Sequence, residues 1–170
     1  MTNLPRSRRS SASLALAVLL GGERYGIPFE YVDEVLPTLP VESLPECPAY
    51  VRGVMLVRDQ LIPVIDAALR LNLRSRRPPL EPHIVCLRVD GHSLGLQVDE
   101  ALELIEIATS AGLSLAEIAT PKPFCCGIYD LNGEVIRMLD PAQLLPDRDS
   151  SLDADVVPDR RGDAHQEHSP

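Results

Sequence analysis

Between Leu14 and Leu145, short apolar runs alternate with glycine, proline, asparagine and aspartate, the punctuation of a chain built from strands rather than long helices. Runs at 14–20, 24–29 and 31–36 lead into a proline-bearing stretch from Pro37 to Pro48, and two more runs fill residues 50–66. Pro28 marks an edge or a bulge, because proline cannot donate to a strand ladder. The second half repeats the design with HIVCLRV (83–89), HSLGLQVD (92–99), ALELIEIA (101–108), FCCGIYDL (124–131) and EVIRMLD (134–140). Asp90-Gly91 and Asn132-Gly133 separate neighbouring runs and predict tight hairpins, since these pairs accept the positive φ angles of primed turns. Short helices are expected over AALRLN after Asp66 and PAQLL after Asp140, each with the aspartate as cap, and a helical turn near Leu113 to Ile118. PVID-AALRL in the first half echoes IRMLD-PAQLL in the second. The echo suggests two barrel-like halves, each closed by a short helix, with a crossing near residues 67–82 that includes the polar break Arg74 to Pro82.

The most informative stretch is Pro48 to Asp66, PAYVRGVMLVRDQLIPVID. Two runs suited to a buried pleated surface flank Arg58, Asp59 and Gln60, which reads as a β-hairpin with an arginine at its tip. Arg58 cannot follow its neighbours inward without a partner, so its guanidinium should reach solvent from a rigid base. From the residues alone, a merely solvated turn explains Arg58 better than a recognition contact does.

Composition narrows the picture. The chain has 170 residues and no tryptophan, with four tyrosines and two phenylalanines, so the core must be aliphatic. The net charge is −9, and the acidic body lacks the basic patch that nucleic-acid binding requires. Residues 1–13 are basic and residues 146–170 carry seven acids against three arginines; both read as disordered tails around a folded body at 14–145. Arg6, Arg8 and Arg9 followed by LALAVLL imitate a secretion signal, but no A-x-A cleavage site follows, and a strand entering the Gly21-Gly22 turn explains the same letters. No run approaches the roughly twenty apolar residues of a membrane span.

Little in the chain suggests catalysis. No G-x-S-x-G elbow, phosphate loop, G-x-G-x-x-G or H-E-x-x-H occurs. Cys47, Cys86, Cys125 and Cys126 form no C-x-x-C, and adjacent Cys125 and Cys126 would face opposite sides of a strand, which disfavours a shared metal. No catalytic residue, metal ligand or cofactor is expected. The enzymatic alternative is a site between the halves using His92, Asp99 or Glu100, with His83 close to His92 across their hairpin; neighbours on one strand make a poor dyad.

Four segments, YGIPFEYVDEVL (25–36), PECPAYVRGVMLVRDQLIPVID (45–66), SLGLQVDEALELIEI (93–107) and GIYDLNGEVIRMLDPAQLL (127–145), closely resemble CheW-like domains, the adaptor modules of bacterial chemosensory arrays. The resemblance implies an all-β fold of two small five-stranded SH3-like β-barrels sharing a hydrophobic core, with short helices. It also implies a non-catalytic cytoplasmic adaptor, recruited to arrays at the inner membrane without inserting into it. Its partners would be the cytoplasmic tip of a methyl-accepting chemoreceptor and the regulatory domain of a CheA-type histidine kinase. Such a regulatory domain shares the fold, so a detached one is a further alternative. Arg58 matches the arginine of the family's N-L-R-G motif, and Val32 and Glu34 match positions associated with receptor contact. Gly53, Pro63, Asp66 and Asp99 match scaffold positions. Leu56 and Asp59 stand where the family has asparagine and glycine, and Asp59 puts a carboxylate beside Arg58. These departures suggest a specialised pathway, such as surface sensing, biofilm or pilus control. The partner-binding residues expected are therefore Val32, Glu34, Arg58 and Asp59.

Overall fold

From Ala15 onward, the run that imitates a signal core is apolar because both faces of its strand are covered. In the computed structural model, which describes residues 12–73, 79, 81–108, 112–114 and 124–145, it lies in β1 (Ala12–Leu20). Leu16, Val18 and Leu20 enter one core while Ala15 and Ala17 enter another. The expected tails lie outside the described residues, except that Ala12 and Ser13 begin β1.

The other strands are β2 (Glu23–Pro28), β3 (Val32–Pro37), β4 (Val51–Val57), β5 (Gln60–Asp66), β6 (His83–Val89), β7 (His92–Val98), β8 (Glu100–Ala108), β9 (Gly112–Ser114), β10 (Cys125–Leu131) and β11 (Glu134–Leu139). Two one-turn helices, α1 (Ala67–Arg70) and α2 (Pro141–Leu144), follow β5 and β11, and a 3-10 turn spans Phe29–Tyr31. The helical turn expected near Leu113 is replaced at its start by β9; residues 115–118 lie outside the described residues.

The strands form two small sheets of the SH3-like kind, ordered β8-β1-β2-β11-β10-β9 and β3-β6-β7-β5-β4. The first has six strands rather than five because the three-residue β9 pairs with β10. The halves of the chain do not each build their own barrel. The β1–β2 hairpin joins strands of the second half through a parallel pairing of β2 with β11, and the β6–β7 hairpin joins strands of the first through a parallel pairing of β7 with β5. Each half thus lends its opening hairpin to the other. Residues 67–82 connect two strands of one sheet, and the passages between sheets fall at the 3-10 turn and at Asp99, not at 67–82.

Three cores result. The shared one holds Leu16, Val18, Leu20, Tyr25 and Ile27 from one sheet and Ile65, Val85, Leu87, Val89, Leu94, Leu96 and Val98 from the other. Each barrel has its own filling: Ala15, Ala17, Ile105, Ile107, Ile136 and Met138 in one, Met55, Ile62, Val64, Ile84 and Cys86 in the other. β6 shows the logic in one strand, with Ile84 and Cys86 facing into its barrel and Val85, Leu87 and Val89 facing the shared core. Fully burying each such side chain is worth about 1.5–3 kcal/mol, so continuous apolar runs are what this architecture demands. Inside each barrel a glycine faces a methionine: Gly26 lies against Met138, and Gly95 against Met55.

The predicted caps form. The Asp66 carboxylate accepts from Leu69 N (3.0 Å) and the Asp140 carboxylate from Ala142 N (3.1 Å). The internal echo extends further: Asp66 N donates to Tyr50 O, and Asp140 N donates to Phe124 O, both at 2.8 Å.

Candidate functional site

The β4–β5 hairpin forms as the sequence predicts but is tighter, because Gln60 already belongs to β5. Val57 pairs with Gln60, leaving a two-residue loop of Arg58 (φ 46) and Asp59 (φ 66). Both angles are positive, as a type I′ turn requires. The hairpins at Gly21-Gly22, Asp90-Gly91 and Asn132-Gly133 have the same loop length and the same signs, and each has glycine second. Of these four turns among the described residues, only Arg58-Asp59 lacks glycine, so an L-residue there carries part of the left-handed penalty. Asp59→Gly is expected to raise stability by about 0.5–1 kcal/mol, read as a higher urea midpoint at constant slope. An unchanged or lower midpoint would show that the turn is not strained.

Arg58 is 80% exposed, and its Nη2 donates to Glu34 Oε2 at 2.9 Å, while the Glu34 side chain is 24% exposed. The carboxylate that pairs with Arg58 therefore comes from β3 and not from neighbouring Asp59. Such a pair contributes about 0–1 kcal/mol to stability, so its importance is that it orients the guanidinium. A second pair stands beside it: Arg88 on β6 meets Asp33 at 2.8 Å, with side chains 57% and 40% exposed. All four residues line a pocket of about 220 Å3 at the end of the five-stranded sheet, together with Val57, Gln60, Ile62, Cys86 and Ser93. The Cys86 thiol at its base is pushed up to about 11 by burial, reinforced by Glu34 and Asp33, and so stays protonated at neutral pH.

Val32 is not brought to this site. It pairs with Leu87 across β3–β6 and packs, partly buried, against the shared core. Sequence reasoning missed Asp33 and Arg88; the available signal was that Arg88 is a lone cation inside an apolar strand. Leu56 and Leu61 are opposed on the outer face of the hairpin, 61% and 54% exposed. Two residues beyond a tight turn, such a pair is not hydrogen-bonded and its side chains sit close together.

His92 does not meet Asp99 or Glu100, the other residues of the enzymatic alternative. His92 pairs with Val89 and His83 with Val98, at opposite ends of the β6–β7 hairpin. His83 Nδ1 accepts from Ala101 N at 3.3 Å. Asp99 accepts from Gly21 N at 2.7 Å, bracing the first hairpin's turn, and burial pushes its carboxyl above the ordinary range against the pull of that bond. Cys125 is buried and adjacent Cys126 exposed, as opposite faces require.

Arg70, at the end of α1, was also missed. Its guanidinium lies between the rings of Tyr50 (4.4 Å) and Phe124 (4.7 Å) and donates to the carbonyls of Gln143 (3.2 Å) and Leu145 (3.1 Å). The two rings belong to the residues whose carbonyls bond the two capping aspartates, so Arg70 sits between equivalent positions of the two halves.

Comparison with known proteins agrees with this architecture. The family model described as CheW-like domain matches residues 14–149. A protein named Chemotaxis protein CheW from Rhizobium meliloti (strain 1021) is 23% identical over 148 residues, covering 86% of this chain and 96% of that protein. One of the same name from Treponema pallidum (strain Nichols) is 30% identical over 105 residues, 59% of this chain and 62% of that protein. The crystal structure of scaffolding protein TtCheW from Thermoanaerobacter tengcongensis aligns with a TM-score of 0.71 at 25% identity, covering 76% of this chain and 90% of that one.

Proposed function

The chain belongs to the CheW-like family of non-catalytic chemotaxis adaptors, and from that premise we propose that it couples methyl-accepting chemoreceptors to a CheA-type histidine kinase. The kinase would be held through its regulatory domain and the receptor through its cytoplasmic tip, which places the chain in the cytoplasm at receptor arrays. No helix among the described residues is long and apolar enough to cross a membrane.

The observation that carries the reading is Arg58 itself. A type I′ turn holds it, Glu34 orients it at 2.9 Å, and it still presents an 80% exposed cation above a pocket. The opposed Leu56 and Leu61 beside it supply apolar contact area next to a polar rim, the composition of a protein–protein contact. A second apolar surface lies at the end of β1. Leu14 and Leu104 are 47% and 50% exposed, and Phe29, which follows the Ala15–Pro28 pair, is 40% exposed. Two separate surfaces suit a bridge between two partners.

Where the family has asparagine and glycine, Leu56 and Asp59 change the chemistry of the first surface, which favours a specialised chemosensory pathway over the main swimming array. Arg58→Glu tests the adaptor reading. It sets two carboxylates against each other across the Glu34 contact and should weaken binding to one of the two partners by 10-fold or more, while the thermal midpoint stays within a few degrees. Unaltered binding to both partners would return Arg58 to a solvated turn.

A further inference from the structure

We propose that the pocket rimmed by Arg58 and Arg88 is a socket for one acidic side chain of the protein partner, and that Arg88 is its second recognition residue, positioned by Asp33. The inference rests on the adaptor reading and names the partner chemistry of that site. The two ion pairs at the rim are built alike. Arg58 Nη2 bonds Glu34 (2.9 Å), and Arg88 bonds Asp33 through Nη2 (2.8 Å) and more loosely through Nε (3.4 Å). In both pairs the guanidinium is the more exposed member, at 80% against 24% and at 57% against 40%. An approaching group meets the more exposed guanidinium groups first, although both carboxylates also line the pocket and hold them in place.

Hydrogen-bond capacity points the same way. A guanidinium has five N–H donors, and each arginine spends only one or two of them on its carboxylate. Gln60 and Ser93 add an amide and a hydroxyl at the same pocket. The volume of about 220 Å3 admits a single side chain. A glutamate or aspartate fits this set, since its two oxygens can accept from both arginines in the bidentate manner that guanidinium favours. The two guanidinium groups and two carboxylates of the lining cancel in net charge, so selection of an acidic group rests on the unspent, exposed N–H donors of Arg58 and Arg88 and not on a net field. In this scheme Asp33 acts through Arg88 as Glu34 acts through Arg58, which explains why adjacent acids sit on β3 opposite β6 and the hairpin tip.

The test measures binding of full-length chain to the purified kinase regulatory domain and, separately, to the receptor's cytoplasmic tip, for the parent, Arg58→Ala, Arg88→Ala, the double variant and Asp33→Asn. Arg88→Ala is expected to weaken the same partner as Arg58→Ala, each by about 10-fold, and to flatten the salt dependence of that binding. The double variant should fall well short of 100-fold, because both arginines hold one carboxylate. Asp33→Asn should give a smaller loss with the salt dependence kept. Binding of both partners within twofold of the parent by Arg88→Ala would overturn the socket alone, as would a loss confined to the partner that Arg58→Ala spares. A parent chain that binds neither partner would overturn the adaptor reading and the socket with it.

Discussion

Gly53→Ala is expected to destabilise the domain by about 3–5 kcal/mol, a large share of the 5–15 kcal/mol that holds a typical domain folded. Gly53 has φ 137, and a Cβ placed there would lie 1.9 Å from Glu42 O, 2.7 Å from its carbonyl carbon and 2.9 Å from Ser43 Cα. All three atoms are backbone, so no change of rotamer relieves the overlap. The close approach exists because Glu42 bridges the edge of β4: Glu42 N donates to Val54 O and Val54 N donates to Glu42 O, both at 2.8 Å. The alanine variant must break that bridge or distort β4 at the bulge between Val51 and Gly53. Thermal unfolding should show a midpoint lowered by roughly 10–20 °C. Gly22→Ala is the control, since Gly22 has φ 84 and open space around it; it should cost only about 1–2 kcal/mol. A Gly53→Ala midpoint within 3 °C or so of the parent would mean that the Glu42 bridge is dispensable.

Arg70→Met should cost about 2–4 kcal/mol by urea unfolding, with the slope unchanged. Methionine keeps the apolar stem but loses the guanidinium between Tyr50 and Phe124 and leaves the carbonyls of Gln143 and Leu145 without that donor. Stacking of a partly desolvated cation on a ring is worth about 0.5–2 kcal/mol, and a hydrogen bond from a charged group about 1.5–3 kcal/mol. The Nε of Arg70 is buried without a partner, which offsets part of that gain and keeps the total below the simple sum. Arg70→Lys retains the charge but not the planar fork, and should recover less than half of the loss. Full recovery by lysine would show that charge alone matters; a methionine variant within 1 kcal/mol or so of the parent would show that the shared core suffices.

Much of the fold is written locally. The apolar runs become strands because each is buried on one or both faces, and the glycine-bearing turns bend where primed geometry admits them. Asp66 and Asp140 cap their helices with bonds spanning three and two residues, within reach of a sequence argument. Arg58 reached the hairpin tip for the same reason: in an apolar run a lone guanidinium has nowhere else to go. The resemblance to CheW-like domains was also legible, since it rests on ordered local patterns.

What the pattern does not contain is which strand lies beside which. Period-2 burial fixes the face of β2 and β7 but not their neighbours, so the natural guess is that each half closes on itself. The parallel pairings of β2 with β11 and β7 with β5 join residues far apart in the chain, and no local preference encodes them. The site shows the same division. Sequence placed Arg58 and nominated Glu34 by resemblance, yet the contact between them, the exclusion of Val32, and the parallel pair of Arg88 with Asp33 depend on β3 lying against β6 at one barrel end. Arg70 is the plainest case: from the sequence it is a cation in the last turn of a short helix, and only the assembled halves bring Tyr50, Phe124 and the end of α2 around it. By itself, the sequence determined the strands other than β9, the glycine-bearing turns, the helix caps and one exposed arginine, because hydrophobic burial and backbone conformation act over a few residues. The tertiary structure decided which hairpin completes which barrel and which charges meet, because those contacts depend on long-range pairings that many strands of similar pattern could satisfy.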